Sequence, residues 1–368
     1  MLRFLHAGDL HLCSPLAQFA PRTAARRRER QFIALEGLFA DAVDRGAQMI
    51  LLAGDVFDSP TPDEDGAARF LSILKEQPVP VLISPGNHDY LREGGVWQRH
   101  ALPDNVYLFD SPKLSCIDFP TLGTAVYGYA FTAETAQAPT LGLASDLLPD
   151  RISILLAHGD LLSPLSPYAP IGGGQLELSG FAYAALGHIH NPTPPRQYGR
   201  TLAAYSGFFA GRGFDEVGAG QALLVEIEGE HVGTTVLAST ADTFQVRELD
   251  CTGAQNGEEV RARVRDFLLS EAIGNETALR LCLTGHVGLS CRPDPVALGA
   301  LGEGFALFEV RDMTVPIFDG AYLAKDPTLR GAFYRALLPQ LTDGDEETRS
   351  LAAEALRLGF AALSGREV

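Results

Sequence analysis

Cysteine is scarce in this chain, and the few cysteines lie far apart. There are five in 368 residues, and no two of them form a CxxC pair. An odd number of scattered thiols argues against a disulfide framework, and the missing CxxC spacing argues against a structural zinc site. This usage suits a reducing compartment, so we expect the protein to be cytoplasmic.

Long apolar runs and an excess of basic residues are also missing. No apolar run approaches the roughly 18 residues of a membrane helix, and His6, Asp9 and His11 interrupt the N-terminal apolar segment, unlike the core of a signal peptide. We therefore expect no membrane association. The net charge of −17 argues against a general polyanion-binding surface. A nucleic-acid substrate would have to be held by local basic patches, by metal ions or by a partner.

The most informative stretch that is present is MILLAGDVFD, at residues 49–58. Its first five residues form an apolar run typical of a strand buried on both faces, and the run stops at Gly54. Two acids, Asp55 and Asp58, follow the strand. Ligands of open α/β sheets bind at the carboxyl ends of the strands. We therefore predict that Asp55 bridges two metal ions.

Four other apolar runs end in the same way. Each one alone is an ordinary turn signal. The carboxyl ends of neighbouring strands lie close together, however, and burying so many ionisable groups without a metal is costly. Alternation along an extended segment also predicts that Asp9 and His11 point to one side. The runs and the residues that follow them are 2–7 with Asp9 and His11, 79–83 with Asn87 and His88, 151–157 with His158, and 183–186 with His188 and His190.

The types of these ligands indicate which metals they bind. Carboxylate, imidazole and amide oxygen without thiolate suit Mn²⁺, Fe²⁺ or Zn²⁺. Two divalent ions about 3.5–4 Å apart, bridged by one carboxylate, form an electrophilic clamp for a phosphoryl group and lower the pKa of a water. We expect two divalent metal ions, with Mn²⁺ as the first choice and Fe²⁺ or Zn²⁺ as alternatives.

Taken in order, five motifs resemble the signature of the calcineurin-like metallophosphoesterases. They are DLH at 9–11, GDVFD at 54–58, GNHD at 86–89, HGD at 158–160 and GHIH at 187–190. The opening FLHAGDLHL and the GDVFD variant are similar to SbcD/YhaO-type DNA repair exonucleases. Protein phosphatases of the superfamily differ, since they carry arginine where this chain has Ser59 and GNHE where it has GNHD. The resemblance covers residues 1–240.

The resemblance implies an α/β fold, a four-layer αββα sandwich with a smaller α+β capping domain. Its domains would be a metallophosphoesterase (nuclease) domain at 1–240, a capping domain at 241–320 and a C-terminal helical tail at 321–368. It also implies a role for each site residue. One ion is bound by Asp9, His11, Asp55 and His190, and the other by Asp55, Asn87, His158 and His188. His88 is the catalytic histidine that contacts the scissile phosphate and acts as general acid. Asp58, placed with the catalytic residues, orients His88 or a ligand.

The activity implied is that of a DNA exonuclease or endonuclease in which two metals activate the attacking water. Such enzymes work in DNA repair with an SMC-like ATPase that docks on C-terminal helices, and we also expect a homodimer. Two alternatives are a phosphodiesterase for a small nucleotide or another phosphoester, and a non-catalytic scaffold. The acidic net charge favours the first alternative, whereas the full set of ligand positions argues against the second.

Three local patterns complete the predictions. A helix is predicted over 24–45, and a cluster of arginines between Arg22 and Arg30 lies at its start. These arginines either form a solvated face or contact phosphates or a partner. Thr61 is predicted to cap the next helix with its hydroxyl. A C-terminal amphipathic helix over 345–363 packs on the body or docks on a partner, and its apolar face is predicted to contain Leu351, Ala355, Leu358 and Ala362.

Overall fold

The computed structural model of the protein describes residues 1–271, 273–274, 276–288, 291–317 and 320–363. Residues 364–368 of the predicted tail therefore lie outside the described residues. The chain divides into two compact units, Met1–Gln245 and Val246–Val368.

The first unit contains strands and helices in alternation, followed by a run of strands. Its strands are β1 (Leu2–Ala7), β2 (Ile50–Leu52), β3 (Val81–Ile83), β4 (Val106–Leu108), β5 (Ser115–Phe119), β6 (Thr124–Gly128), β7 (Ile152–His158), β8 (Tyr183–Gly187), β9 (Arg196–Tyr198), β10 (Thr201–Tyr205), β11 (Gln221–Glu228) and β12 (His231–Ala238). Its helices are α1 (Pro21–Asp44), α2 (Glu64–Lys75), α3 (Val96–Arg99) and α4 (Gly173–Ser179).

These strands form two six-stranded sheets. The order in the first is β12-β11-β1-β2-β3-β4. Strands β1 to β4 run parallel because the connections that contain α1, α2 and α3 return the chain to the same end. The order in the second is β5-β6-β7-β8-β10-β9, with β6, β7, β8 and β10 parallel. All the predicted site residues lie at or just after the carboxyl ends of five of these strands, which are β1, β2, β3, β7 and β8.

Alternation along the strands explains why the two sheets stack. In β1, Phe4 packs into a core between the two sheets, whereas Leu5 packs into a core shared with α1 and α2. In β7, Leu156 faces the inner core and Leu155 faces a third core that includes α4. Both sheets are thus covered on both faces. The predicted αββα arrangement of sheets flanked by helices is confirmed.

Near the start of α2 the structure differs from the prediction. Thr61 lies before the helix, and the cap is Asp63, whose carboxylate accepts a hydrogen bond from the Gly66 N–H. Aspartate is as good an N-cap as a hydroxyl residue, so the sequence alone did not distinguish the two positions.

His6 is a polar side chain buried between the two sheets. Its Nδ1 lies 2.9 Å from the Tyr183 hydroxyl and its Nε2 lies 3.2 Å from the Leu186 carbonyl oxygen. Burial lowers the pKa of His6 from 6.5 to about 3, although the bond to Leu186 opposes this shift. The imidazole is therefore neutral in the folded protein at neutral pH, and it links the first sheet to the second.

This histidine predicts a pH dependence of stability. Below pH 6.5 the unfolded chain protonates His6 but the folded protein does not, so His6 lowers the free energy of unfolding as the pH falls from 6.5 towards 3. The limiting slope is about 1.4 kcal/mol per pH unit. Urea unfolding at pH 8, 6 and 5 measures the free energy of unfolding of the wild type and of His6→Gln. The two free energies should converge as the pH falls. A difference that stays constant with pH would contradict the prediction.

The second unit is a small α+β assembly with a helical C-terminal part. A three-stranded sheet has the order β13-β14-β16, and its largest apolar cluster includes Val260, Leu281 and Val310. The strands are β13 (Phe244–Asp250), which begins in the first unit, β14 (Ala278–Thr284), β15 (His286–Val287), β16 (Leu307–Asp312) and β17 (Val315–Pro316); the helices are α5 (Gly257–Ser270), α6 (Pro295–Gly299), α7 (Gly320–Leu323), α8 (Leu329–Asp343) and α9 (Glu346–Leu363).

The C-terminal helix forms as predicted but buries a different face. Ala352, Leu356 and Phe360 of α9 are buried, while Leu351 is 72% exposed. The buried face packs on α8, a separate helix of the predicted helical tail that contains Pro339 and whose bounds sequence analysis did not predict. Because alanine and leucine occur on both faces of α9, the apolar pattern could not determine which face α8 would cover. No helix in the described part of the chain is long and apolar enough to cross a membrane.

Candidate metal centre

The predicted ligands lie where the backbone leaves the strands in a strained conformation. Asp9, His11 and Asp55 have φ of 49°, 43° and 49°, and His188 has φ of 108°. Positive φ in residues other than glycine costs about 1–3 kcal/mol and is concentrated at functional sites. The predicted alternation of Asp9 and His11 along an extended strand is therefore wrong. They point into the site because the chain turns after β1.

Hydrogen bonds between two loops hold these turns in place. The Asp9 N–H donates to the Gly54 carbonyl at 3.0 Å, and the His11 N–H donates to the Asp55 carbonyl at 2.9 Å. The loop after β1 thus continues alongside the loop after β2 beyond the end of the sheet. This pairing fixes the spacing of Asp9, His11 and Asp55.

Asp9, His11, Asp55 and His190 form the first group of potential ligands. One donor atom from each lies within 4.8 Å of the others. His11 Nε2 is 3.2 Å from His190 Nε2 and 3.6 Å from Asp55 Oδ2, and His190 Nε2 is 3.8 Å from Asp9 Oδ1. Two imidazole nitrogens and two carboxylates converge on one small volume. This donor set fits a divalent cation such as Mn²⁺, Fe²⁺ or Zn²⁺.

Asp55, Asn87 and His158 form a second group beside the first. His158 Nδ1 donates to the Ala53 carbonyl at 3.0 Å, which leaves Nε2 as an acceptor when the ring is neutral. Nε2 nevertheless lies 2.9 Å from Asn87 Oδ1 and 3.5 Å from Asp55 Oδ2. Burial lowers the pKa of His158 although Asp55 raises it, which favours the neutral ring. Three acceptors facing one another fit a cation between them.

His188 lies beside the second group but outside the first. Its backbone N–H donates to both carboxylate oxygens of Asp9, at 3.0 and 3.1 Å. Its ring centroid is 5.3 Å from that of His158 and 4.9 Å from that of Tyr168. Burial, with a smaller contribution from His158, lowers the pKa of His188 to about 4, so the ring is neutral and can bind a cation.

His88 is placed differently from the buried ligands. Its backbone N–H donates to Asp55 Oδ1 at 2.8 Å, which fixes the main chain. The side chain is 41% exposed, and its ring is edge-on to that of His11 with centroids 4.8 Å apart. His88 is therefore anchored to the metal centre while its imidazole faces solvent.

Asp58 contacts His11, a predicted ligand, more closely than it contacts His88. Its Oδ1 is 3.0 Å from His11 Nδ1 and 4.0 Å from His88 Nδ1. His88 Nδ1 is instead 3.3 Å from the backbone carbonyl of Asp58. Of the two roles considered for the Asp58 carboxylate, the geometry favours orienting a ligand.

The buried carboxylates need a positive partner. Burial raises the pKa of Asp9 to about 8, and Asp55 adds to this effect while His190 opposes it. Burial also acts to raise the pKa of Asp55, but His158 and His11 together bring it below its ordinary value. A divalent cation would stabilise both carboxylates in their charged form.

Sequence analysis assigned no site role to two acids that support the centre. Asp89 is fully buried, and its carboxylate accepts from the N–H groups of Gly86 at 2.7 Å and Val56 at 3.0 Å, which ties the second motif to the third. Its place in GNHD was the available signal. Glu216 Oε1 lies 2.7 Å from His190 Nδ1, and no motif marks it. Burial acts to raise the pKa of Glu216, but His190 and Arg212 lower it to about 2.

Close backbone contact at Gly187 gives a second prediction. A Cβ at this position would lie 1.9 Å from the Ala53 carbonyl oxygen, so Gly187→Ala must push β8 away from the end of β2. We expect it to lower the free energy of unfolding by roughly 1–3 kcal/mol, as overpacking does, and to weaken metal binding. Thermal unfolding with and without Mn²⁺ measures both effects.

Gly37 in α1 provides the matched control. A Cβ there would meet no atom within 4 Å, so Gly37→Ala should stabilise the protein by about 0.5–1 kcal/mol. Equal stability of the Gly187→Ala variant and the wild type would contradict the close contact.

Comparison with known proteins gives a consistent result. Residues 2–192 match the family model described as calcineurin-like phosphoesterase. The chain is 30% identical over 303 residues to the uncharacterized metallophosphoesterase YhaO of Bacillus subtilis, covering 77% of this chain and 72% of the relative. These matches confirm the predicted resemblance to the family and to its YhaO-type members.

Other relatives carry the names of nucleases or repair proteins. The chain is 30% identical over 202 residues to the DNA double-strand break repair protein Mre11 of Saccharolobus solfataricus, covering 52% of this chain and only 50% of that relative. It is 25% identical over 263 residues to one component of the nuclease SbcCD of Bacillus subtilis, covering 61% of this chain and 66% of that relative. With the family model matching more than half of its length, this chain belongs to the calcineurin-like phosphoesterases, a family of divalent-metal-dependent phosphoester hydrolases.

Proposed function

We propose that this protein is a DNA nuclease that hydrolyses phosphodiester bonds in DNA repair. The observation that carries the proposal is the convergence of Asp9, His11, Asp55 and His190 around one small volume, with the exposed imidazole of His88 beside it. The names of the two nuclease-type relatives support DNA as the substrate.

In this proposal, the two groups of ligands bind one cation each, and Asp55 belongs to both. The bound cations would supply Lewis acidity, neutralising the phosphate and making a water more acidic. Asp55 also accepts the His88 N–H, so the carboxylate that links the two positions sets the place of the catalytic histidine. The positions proposed are Asp9, His11, Asp55 and His190 for the first cation, and Asp55, Asn87, His158 and His188 for the second.

The exposed imidazole of His88 is the group that acts on the substrate. Because its backbone is anchored and its side chain faces solvent, it can contact the scissile phosphate and donate a proton to the leaving oxygen. We propose that this transfer, and not metal binding, is the contribution of His88.

The arginines of α1 contribute less positive surface than their number implies. Arg27 is buried, and its guanidinium lies 4.7 Å from the Phe19 ring centroid and 5.0 Å from that of Phe244. Arg28 donates to the Pro15 carbonyl at 3.1 Å, and Arg30 lies 2.9 Å from Asp242. These contacts favour a structural role for part of the run, and we propose that DNA is held mainly at the metal centre.

The finer features are part of the same proposal. We propose Mn²⁺ as the working cation, a cytoplasmic location, a homodimer, and an SMC-like ATPase partner that docks on the C-terminal helices. The domain limits proposed from the sequence are 1–240, 241–320 and 321–368. The net charge of −17 favours an alternative in which the substrate is a small nucleotide or another phosphoester.

The deciding experiment compares substrates under one set of conditions. End-labelled single- and double-stranded DNA, a cyclic nucleotide and bis(4-nitrophenyl) phosphate are incubated with the protein and Mn²⁺, with EDTA as the control. We expect cleavage of DNA that EDTA abolishes. Turnover of the small esters without DNA cleavage would identify a small-molecule phosphodiesterase. A protein that turns over none of these substrates and binds no Mn²⁺ would be a scaffold.

A further inference from the structure

One arginine connects two carboxylates behind the first group of ligands. Arg212 Nη1 lies 2.7 Å from Asp58 Oδ1, and its Nη2 lies 2.8 Å from Glu216 Oε1. The backbone N–H of Arg212 also donates to Glu216 Oε2 at 2.7 Å. Glu216 is 2% exposed, and the Arg212 side chain is 22% exposed. These three residues form a largely buried carboxylate–guanidinium–carboxylate unit.

Each carboxylate of this unit contacts a different histidine ligand. Asp58 Oδ1 is 3.0 Å from His11 Nδ1, and Glu216 Oε1 is 2.7 Å from His190 Nδ1. Both rings therefore direct Nδ1 towards a carboxylate, although Arg212 Nη2 also lies 3.2 Å from His190 Nδ1. Both direct Nε2 towards the first group, where the two Nε2 atoms are 3.2 Å apart. A hydrogen bond from the non-ligating nitrogen fixes the tautomer of a metal-binding histidine and raises its basicity.

The loop that carries Arg212 and Glu216 is fastened to the ligand-bearing backbone. The Phe208 N–H donates to the His190 carbonyl at 2.9 Å, and the Phe209 N–H approaches the Asp9 carbonyl at 3.4 Å. Phe209 itself is fully buried. The arginine is thus held at a fixed distance from both histidines.

We propose that Asp58, Arg212 and Glu216 form a brace that presents Nε2 of both His11 and His190 to the first cation. All three are positioning residues, because none of them belongs to the two groups of ligands. Arg212 keeps both carboxylates in place and compensates part of their charge. The inference rests on the proposed metal-dependent function but not on DNA as the substrate.

Metal affinity is the readout that tests the brace. We expect Glu216→Ala to weaken binding at one of the two Mn²⁺ positions by about 10–100-fold, the usual effect of losing a carboxylate behind a histidine ligand. Glu216→Gln retains an oxygen acceptor for His190 Nδ1, so it should lose less. Arg212→Ala releases both carboxylates and should also weaken one position. Isothermal titration of the metal-free protein with Mn²⁺ measures both positions.

A control variant removes another arginine–aspartate ion pair of the first unit. Arg151 lies 2.7 Å from Asp118, away from the ligands and with 25% of its side chain exposed, so Arg151→Ala should leave both affinities unchanged. Thermal unfolding of each metal-free variant checks that it folds. If Glu216→Ala does not fold, Arg212→Ala decides the question, and unchanged Mn²⁺ affinity in that folded variant would overturn the brace.

The tautomer gives a second, independent readout. In Zn²⁺-loaded protein labelled with ¹⁵N-histidine, we expect NMR to show protonated Nδ1 on His11 and His190, and Arg212→Ala should shift the signals of both rings. If Arg212→Ala shifts the NMR signals of neither ring, the brace is overturned. If the wild type binds no metal, the proposed metal-dependent function fails. If the wild type binds two ions and Glu216→Ala binds them equally well, only the brace fails.

Discussion

Asp55→Asn is expected to reduce phosphodiester cleavage by roughly a thousandfold, the scale of losing a main electrostatic stabiliser of a transition state. Asp55 is 1% exposed, and its two oxygens serve different parts of the centre. Oδ2 lies 3.6 Å from His11 Nε2 and 3.5 Å from His158 Nε2, between the two groups of ligands, while Oδ1 accepts the His88 N–H. The amide keeps the shape of the side chain but removes the charge that would stabilise both proposed cations.

Two measurements separate this effect from misfolding. Metal analysis of Asp55→Asn after Mn²⁺ loading should find fewer ions than in the wild type, and circular dichroism should find the same secondary structure. Asp118→Asn serves as the control because Asp118 pairs with Arg151 outside the metal centre. Full Mn²⁺ occupancy and normal turnover in Asp55→Asn would remove Asp55 from the proposed ligands.

His88→Ala should give the second large effect, a loss of turnover of about 10²–10⁴-fold, the contribution typical of general acid–base catalysis. Unlike the ligand variants, it should keep both cations, because the His88 side chain is 41% exposed and only its backbone N–H bonds to Asp55. The substitution leaves that backbone bond in place. The result should therefore be an inactive protein with normal metal content.

The activity assay uses end-labelled DNA with Mn²⁺, and titration of the metal-free variant with Mn²⁺ gives the metal content. His231→Ala is the matched control, since His231 is an exposed histidine at the start of β12. Wild-type activity in His88→Ala would exclude the proposed proton transfer. Loss of bound metal would instead assign His88 a structural part in the centre.

The sequence predicted which side chains converge at the sheet edge because their signals are local. Each apolar run that ends in Asp, Asn or His marks the end of a strand, and parallel strands place those ends at one edge. The structure gathers Asp9, His11, Asn87, His158 and His190 around Asp55 in this way. The alternation argument for Asp9 and His11 was wrong in detail, because both residues adopt positive φ after the strand has ended.

The sequence by itself determined the succession of buried strands along the chain, through hydrophobic pattern, and the set of side chains able to bind cations, through short motifs. The same motifs carry the resemblance that implies the αββα class. Only the tertiary structure decided which groups support them. Glu216 reaches His190 from 26 residues further along the chain, and Arg212 reaches Asp58 from 154 residues away. Such contacts depend on how a loop folds back over the sheet edge, and no local periodicity encodes that path.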